Sequence, residues 1–210
     1  MKIFLTGGSS GIGQATKNLF ERLGYKVDAP TRQEFDLADF ESIDKLELSK
    51  YDIVINCAGA NQGAYLGWHN NTWQNQSAHV AVNFTGPMFL AKQYTRQRSQ
   101  GQFVYVTSAS ADDPRSYTIF MVGSKGALRY SMAAVQQDYP GILFTEIVPG
   151  KTRTNMLRQN YQGMLSDDEI EHMYQQAPCL TADEVAKAIL RAVEQKLPKV
   201  TILPAPDKKD

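Results

Sequence analysis

The sequence predicts a three-layer α/β fold, a doubly wound parallel sheet in a single domain, and three observations carry that prediction. Short apolar stretches alternate with longer segments of helical periodicity through the 210 residues. Runs such as Ile53-Val54-Ile55 and Phe103-Val104-Tyr105-Val106 are apolar without alternation, as in strands covered on both faces. The first run, Lys2-Ile3-Phe4-Leu5, feeds directly into Thr6-Gly7-Gly8-Ser9-Ser10-Gly11-Ile12-Gly13, a glycine-rich turn that opens a helix.

Taken in order, a first strand spans residues 2–6 and a helix 14–23, followed by a strand at 26–29 and a helix at 40–46. A third strand falls at 53–58 and a long helical pattern at 72–98. Then come a strand at 102–108, a helix at 117–138, a strand at 143–149, a helix at 182–195 and a last strand at 199–203. Residues 150–178 form the longest irregular stretch and follow a strand's carboxyl end, where such a sheet binds its ligand, so a lid over substrate is expected there. Its Met156, Leu157, Tyr161, Met164, Leu165 and Met173 suit a medium-sized, partly apolar ligand or a plain amphipathic cover. No repeat, low-complexity tract or linker divides the chain.

With 22 basic and 22 acidic residues the formal charge is zero, which points away from nucleic acid and membrane surfaces. No apolar stretch approaches the ~20 residues of a membrane span. The predicted strand at residue 2 leaves no room for a leader ahead of it. Cys57 falls in a predicted strand and Cys179 in a loop, neither with a metal-like companion, so a reduced, cytoplasmic setting is expected. The charged end at 207–210 reads as a solvated tail.

In the glycine turn, Gly7 permits a tight bend with positive φ. Gly11 and Gly13 lack the side chains that would hold a pyrophosphate off the backbone. The following helix aims its first N–H groups at the anion. The plainer alternative is an ordinary strand-to-helix turn. Its place at the first strand of an α/β alternation favours a dinucleotide site.

Further motifs follow in register: Asn56-Cys57-Ala58-Gly59, Asn83-Phe84-Thr85-Gly86-Pro87, Ser108 after Val106-Thr107, Ser124-Lys125-Gly126-Ala127-Leu128, and Pro149-Gly150 with Thr154. Together with the glycine turn, these resemble the short-chain dehydrogenase/reductase family over about residues 2–155, with Cys57 replacing the second Asn of its NNAG segment. The resemblance implies a Rossmann-type fold, a nicotinamide cofactor and a small-molecule carbonyl or alcohol substrate. It implies cofactor contacts at Gly7, Ser9, Ser10, Gly11, Ile12, Gly13, Asn56, Ala58, Gly59, Lys125, Pro149, Gly150, Thr152 and Thr154. Catalytic positions would be Ser108, Lys125, Asn83 and residue 121. A homo-oligomer, dimer or tetramer, paired through the helices at 72–98 and 117–138 is also implied, and Phe84, Phe89, Leu128 and Met132 permit it.

Family members that use NAD usually carry an acidic residue at the end of the second strand, whereas NADP users place a hydroxyl and an arginine there. Here Thr31 occupies the acidic position, Arg32 follows, and Asp28 falls three positions too early. NADP(H) is therefore expected over NAD, the alternative being a solvated Arg32. Asp36-Leu37 resembles the pair that meets adenine, although an acid at a helix start would look the same.

The family's tyrosine lies one helical turn before its lysine, and thirteen residues beyond Ser108; both counts reach Met121. In the family that phenol gives the carbonyl oxygen its proton, and the lysine at i+4 lowers its pKa. A thioether has no proton to give. Losing a positioned acid typically costs about 10²–10⁴-fold in rate. Tyr117 lies one turn too far, Tyr161, His172 and Tyr174 sit in the expected lid, and His79 precedes Asn83 by one turn. Lys125 itself is a reluctant acid at an ordinary amine pKa of about 10.4.

Ser108, Lys125 and Asn83 remain in place around the altered position; a turn cap, a surface amine and a helix irregularity are their plainer readings. Trp68 and Trp73 flank a polar stretch and would border a substrate mouth or anchor the core. Three functions remain open. The first is an NADP(H)-dependent oxidoreductase with weak acid catalysis, the second a cofactor-binding sensor without turnover, and the third non-redox chemistry in the same pocket.

Overall fold

A computed structural model describes residues 1–61, 68–113, 119–161, 165–176 and 178–205, with backbone alone for Leu157, Asn160 and Tyr161. At its centre, β1 (Lys2–Thr6), β2 (Lys26–Asp28), β3 (Ile53–Asn56), β4 (Gly101–Val106), β5 (Ile142–Pro149) and β8 (Lys199–Ile202) form one sheet, parallel throughout, in the order β2-β1-β3-β4-β5-β8. These are the six expected strands. The unbroken apolar runs are explained by the two faces they serve. Ile3, Leu5, Ile53, Ile55 and Val104 enter one core cluster, which α1 (Gly11–Arg22) closes through Phe20 and α8 (Ala182–Glu194) through Val185 and Ile189. Phe4, Val54 and Phe103, alternating with them, enter the other. That second cluster is closed by Ile43 of α2 (Phe40–Asp44), Leu90 and Tyr94 of α4 (Gly86–Gln97), and Leu128 and Met132 of α5 (Ile119–Asp138). Helices therefore cover both faces of a Rossmann-type sheet in a single domain.

From β1 the chain runs outward to β2, then crosses back to β3 on the other side of β1. This reversal opens a crevice beyond the carboxyl ends of β1 and β3. Thr6 and Asn56 face each other across it in register, and the Thr6 hydroxyl donates to Asn56 Oδ1 at 2.6 Å.

Two expectations change. The long helix at 72–98 is interrupted: α3 (Trp73–Val80) and α4 are joined by one turn of π-helix at Ala81–Thr85. The stretch at 150–178 is not irregular. It holds β6 (Thr152–Arg153), α6 (Asn155–Tyr161) and α7 (Asp167–Gln176), and β6 pairs with β7 (Leu180–Thr181). Amphipathic burial of Ile170 and Tyr174 on α7 accounts for the order. Both cysteines are free. No helix among the described residues is long and apolar enough to cross a membrane.

Candidate active site

The crevice begins at the turn between β1 and α1. Gly7 takes φ +76°, and a Cβ there would stand 2.7 Å from the Ala58 backbone nitrogen. A Cβ on Gly13 would lie 2.0 Å from the Gly7 carbonyl oxygen, so helix and turn touch backbone to backbone. Gly11, at φ +51°, faces the Thr154 methyl. Ser9 and Ser10 are exposed and Ile12 is half-buried. Ser10 is the N-cap of α1, yet its side chain caps no helix N–H. The first turn of α1 thus keeps its N–H groups for an anion.

At the edge beyond β2, the residues expected to choose the cofactor hold one another. The Thr31 N–H and hydroxyl both donate to Glu34 Oε2, at 2.7 and 2.9 Å, so that hydroxyl is engaged within its own turn. Arg32 Nε pairs with Asp36 Oδ2 at 3.1 Å, and the guanidinium remains exposed. Asp36 also accepts from the Ala38 N–H. Asp28 accepts the Tyr51 hydroxyl and is committed there. Leu37 is a core side chain whose carbonyl lies against Gly86.

At the other end, the carboxyl ends of β3 and β4 meet the π-turn and α5. Asn83 is fully buried: its Oδ1 accepts from Ala60 N–H at 2.8 Å, and its Nδ2 donates to Ala60 O at 2.9 Å and approaches His79 Nδ1 at 3.1 Å. The amide therefore clamps the chain that follows Asn56-Cys57-Ala58-Gly59 to the helix irregularity. A donor on Asn83 leaves His79 Nδ1 as acceptor, with its proton on Nε2. His79 is fully buried. Asn56 Nδ2 is buried with no partner among the described residues.

Lys125 is buried on α5, and its Nζ donates to Val106 O at 2.8 Å. Burial pushes its ammonium down to about 8, against an upward pull from Cys57. Burial likewise pushes the Cys57 thiol up to about 12. A Cβ built on Gly59 would lie 3.3 Å from Asn83 Oδ1, 3.8 Å from Met156 Cε and 3.9 Å from Lys125 Nζ. Gly59 is thus the point on which the lysine, the asparagine and Met156 of α6 converge. Ser108, two residues past the end of β4, is the N-cap of a 3₁₀ turn at Ala109–Ala111, its Oγ accepting from Ser110 N–H at 3.2 Å. Met121 is half-buried one turn before Lys125 on α5. Tyr117 lies outside the described residues.

Two features were not anticipated. Arg129 of α5 is buried between Glu146 of β5 and Asp112, just past the Ser108 turn, and Glu146 also accepts the Thr107 hydroxyl at 2.6 Å. Charged residues one and two strands away give no sequence signal of such a clamp. The second is the latch on α7. Arg153 donates to Glu171, and Arg153 and Lys151 lie over the Tyr174 ring at 5.2 and 5.8 Å. Pro149 is buried, and Thr152 donates to Gly150 O at 2.9 Å. Trp68 and Trp73 are both exposed, so neither anchors the core; Trp68 stacks on Phe120, beside Met121.

Comparison with known proteins agrees with this geometry. Residues 36–165 match the family profile described as short chain dehydrogenase. The 2,3-dihydro-2,3-dihydroxybenzoate dehydrogenase of Escherichia coli (strain K12) is 30% identical over 193 residues, spanning 80% of this chain and 75% of that enzyme. The aldohexose dehydrogenase of Thermoplasma acidophilum, in ligand-free form, superposes with a TM-score of 0.85 at 19% identity, over 100% of this chain and 96% of that one. A closed form of serine dehydrogenase complexed with NADP+ superposes with a TM-score of 0.81 at 18% identity, with the same coverage. Since the profile match spans more than half of the sequence, the chain belongs to the short-chain dehydrogenase family.

Proposed function

We propose that the protein is an NADP(H)-dependent oxidoreductase acting on a small-molecule carbonyl/alcohol pair, with acid catalysis weakened at Met121. One observation carries this: the uncapped first turn of α1 and the buried Lys125–Asn83–Gly59 corner lie at the carboxyl ends of adjacent strands of one crevice. The residues fit a dinucleotide. Gly7 and Gly13 leave backbone where a Cβ has no room, the α1 N–H groups suit a pyrophosphate, and Asn56 Nδ2 offers a donor without a partner. Gly7, Ser9, Ser10, Gly11, Ile12 and Gly13 would hold the phosphates. Asn56, Ala58, Gly59 and Lys125 would hold the ribose near the reacting ring, with Pro149, Gly150, Thr152 and Thr154 beside the ring itself.

Bound there, a reduced nicotinamide supplies hydride. Ser108 orients the substrate oxygen, while Asn83 and Lys125 fix the crevice floor. Arg32 favours NADP(H), because an exposed pair with Asp36 is weak and readily exchanged for a phosphate. The relative with NADP+ bound adds support. The segment 150–178 acts as the lid, with Met156 reaching the floor. Trp73, Val80, Ile119 and Tyr130, exposed on α3 and α5, favour a homo-oligomer built through these helices. No partner nucleic acid or membrane is proposed, and the setting is cytoplasmic.

Met121 favours one rival, a cofactor sensor without turnover. Fluorescence titration with NADPH and NADH, followed by a carbonyl panel on wild type and Met121→Tyr, separates the two. Tight NADPH binding with turnover supports the enzyme; tight binding with none in either form supports the sensor. Binding of neither cofactor overturns both.

A further inference from the structure

We propose that Lys125 is itself the proton donor to the substrate oxygen, in place of the phenol that Met121 cannot supply. This deepens the oxidoreductase function proposed above and rests on it. Met121 and Lys125 lie one turn apart on the same face of α5. The ammonium stands at the end of β4, its Nζ bonded to Val106 O two residues before Ser108. A protonated lysine has three donors, and Val106 is the one acceptor assigned to it among the described residues. The Nζ lies 3.9 Å from where a Cβ on Gly59 would stand, and Asn83 Oδ1, which accepts from Ala60, lies 3.3 Å from the same point.

Other described proton sources near the crevice are committed elsewhere. His172 is exposed and bonds Gln176, Tyr174 is buried under Lys151 and Arg153, and His79 is fully buried and held against Asn83. The groups around Lys125 are the Val106 carbonyl of β4, Asn83 of the π-turn, Met156 of α6 and Cys57 beyond β3; of these Cys57 alone titrates. Burial, which brings the ammonium to about 8, removes the objection that an ordinary lysine is too weak an acid, while leaving it protonated at neutral pH.

The step balances as follows. As the carbonyl carbon gains hydride, a C–H bond forms and the C=O π pair moves to oxygen. That oxygen takes a proton from Lys125 Nζ, whose N–H bond breaks, and the neutral amine regains a proton from solvent. The carbonyl compound is reduced and the nicotinamide is oxidised.

The test compares wild type, Lys125→Arg and Lys125→Arg/Met121→Tyr, each titrated with NADPH and then assayed at saturating NADPH across pH. Arginine keeps a cation and donors for a ribose but does not release a proton in this range. We expect wild-type kcat to fall above pH ~8 as the ammonium is lost. Lys125→Arg should bind NADPH within a few-fold of wild type, lose about 10²-fold in kcat and lose that pH limb. The added phenol should restore turnover at least ~10-fold. Competitive acetylation of wild-type Lys125, read by mass spectrometry, needs no variant to fold and should show ionisation near 8. Ionisation at the ordinary amine value, or full kcat in Lys125→Arg, overturns the donor role and leaves cofactor binding standing. Binding without turnover in every form removes the donor role with the oxidoreductase and leaves a sensor. Absence of NADPH binding in wild type overturns the proposed function itself.

Discussion

At the glycine turn the crevice is built of backbone, whereas at α5 it is built of single side chains. Gly7, Gly13 and the Ala58 nitrogen pack so closely that any Cβ collides, and the anion-binding groups are N–H donors that every residue carries. At the opposite end, each function falls to one side chain: Ser108, Asn83, Lys125, and whatever stands at 121. A backbone site fails through added atoms; a side-chain site fails through exchanged ones. A backbone turn of this kind can therefore stay intact while a side chain at the other end is exchanged.

The largest expected effect tests the backbone end. Gly13→Ala places a methyl 2.0 Å from the Gly7 carbonyl, which neither backbone segment can yield without moving. We expect about 3 kcal/mol lost in urea unfolding and no saturable NADPH binding. Gly11→Ala, facing only a threonine methyl but held at φ +51°, should cost about 1 kcal/mol. Equal costs for the two would show that close approach is not what the turn requires.

Next comes the side-chain end. Met121→Tyr should raise kcat about 10²-fold, near 2.7 kcal/mol of barrier, measured at saturating NADPH. The lower part of the usual range for a general acid applies because, under the proposed donor role, Lys125 would already deliver a proton. An unchanged kcat would place the chemical defect elsewhere in the crevice.

Third, the buried ammonium costs stability. Its folded pKa, about 8, lies below the unfolded value of 10.5, so the unfolded chain binds more protons between them. Stability therefore rises with pH across that window and is lowest below about 8. Lys125→Met should stabilise the protein by about 2 kcal/mol at pH 7, the hydrogen bond to Val106 O being lost against a larger relief of desolvation. The advantage should shrink from about pH 8 and be gone by 10.5, as followed by unfolding at stepped pH. A pH-independent difference would mean that burial does not depress the ammonium's pKa in the folded state.

The same contrast governs how much was legible in the chain. Strands β1, β3 and β4 were readable because burial on both faces leaves unbroken apolar runs, and Gly13 because a backbone contact tolerates no other residue. The π-turn at Ala81–Thr85 was not, since its hydrogen bonds to Ala60 come from Asn83, a contact 23 residues distant. Helix α7 could have been found: Ser166 and Glu169 cap its start reciprocally, as Thr181 and Glu184 cap α8. Within the candidate site, the motifs singled out Lys125, Asn83 and Ser108, but burial of the ammonium involves neighbours from other segments, such as Val106, which accepts its hydrogen bond, and Gly59. Spacing along one helix carries no such information.

The smallest expected effect concerns Arg32, where the two kinds of recognition meet. Thr31 and Glu34 share half of the pattern that starts α7 and α8: Glu34 accepts the Thr31 N–H and hydroxyl, while its own N–H donates to the Thr31 carbonyl and closes a turn. That engagement withdraws the Thr31 hydroxyl, so under the proposed NADP(H) preference the choice would fall to one guanidinium. An exposed pair such as Arg32–Asp36 is worth about 0–1 kcal/mol, so exchanging Asp36 for a phosphate requires little. Arg32→Ala should weaken NADPH about 10-fold, leave NADH unchanged, and alter unfolding stability by less than about 0.5 kcal/mol. Wild-type affinity for NADPH, but not for NADH, should fall as ionic strength rises, because the contact is solvent-exposed and screened. If NADPH and NADH weaken together in Arg32→Ala, the arginine is shaping the turn rather than reading the phosphate. The adenosine edge would then belong with the backbone end of the crevice.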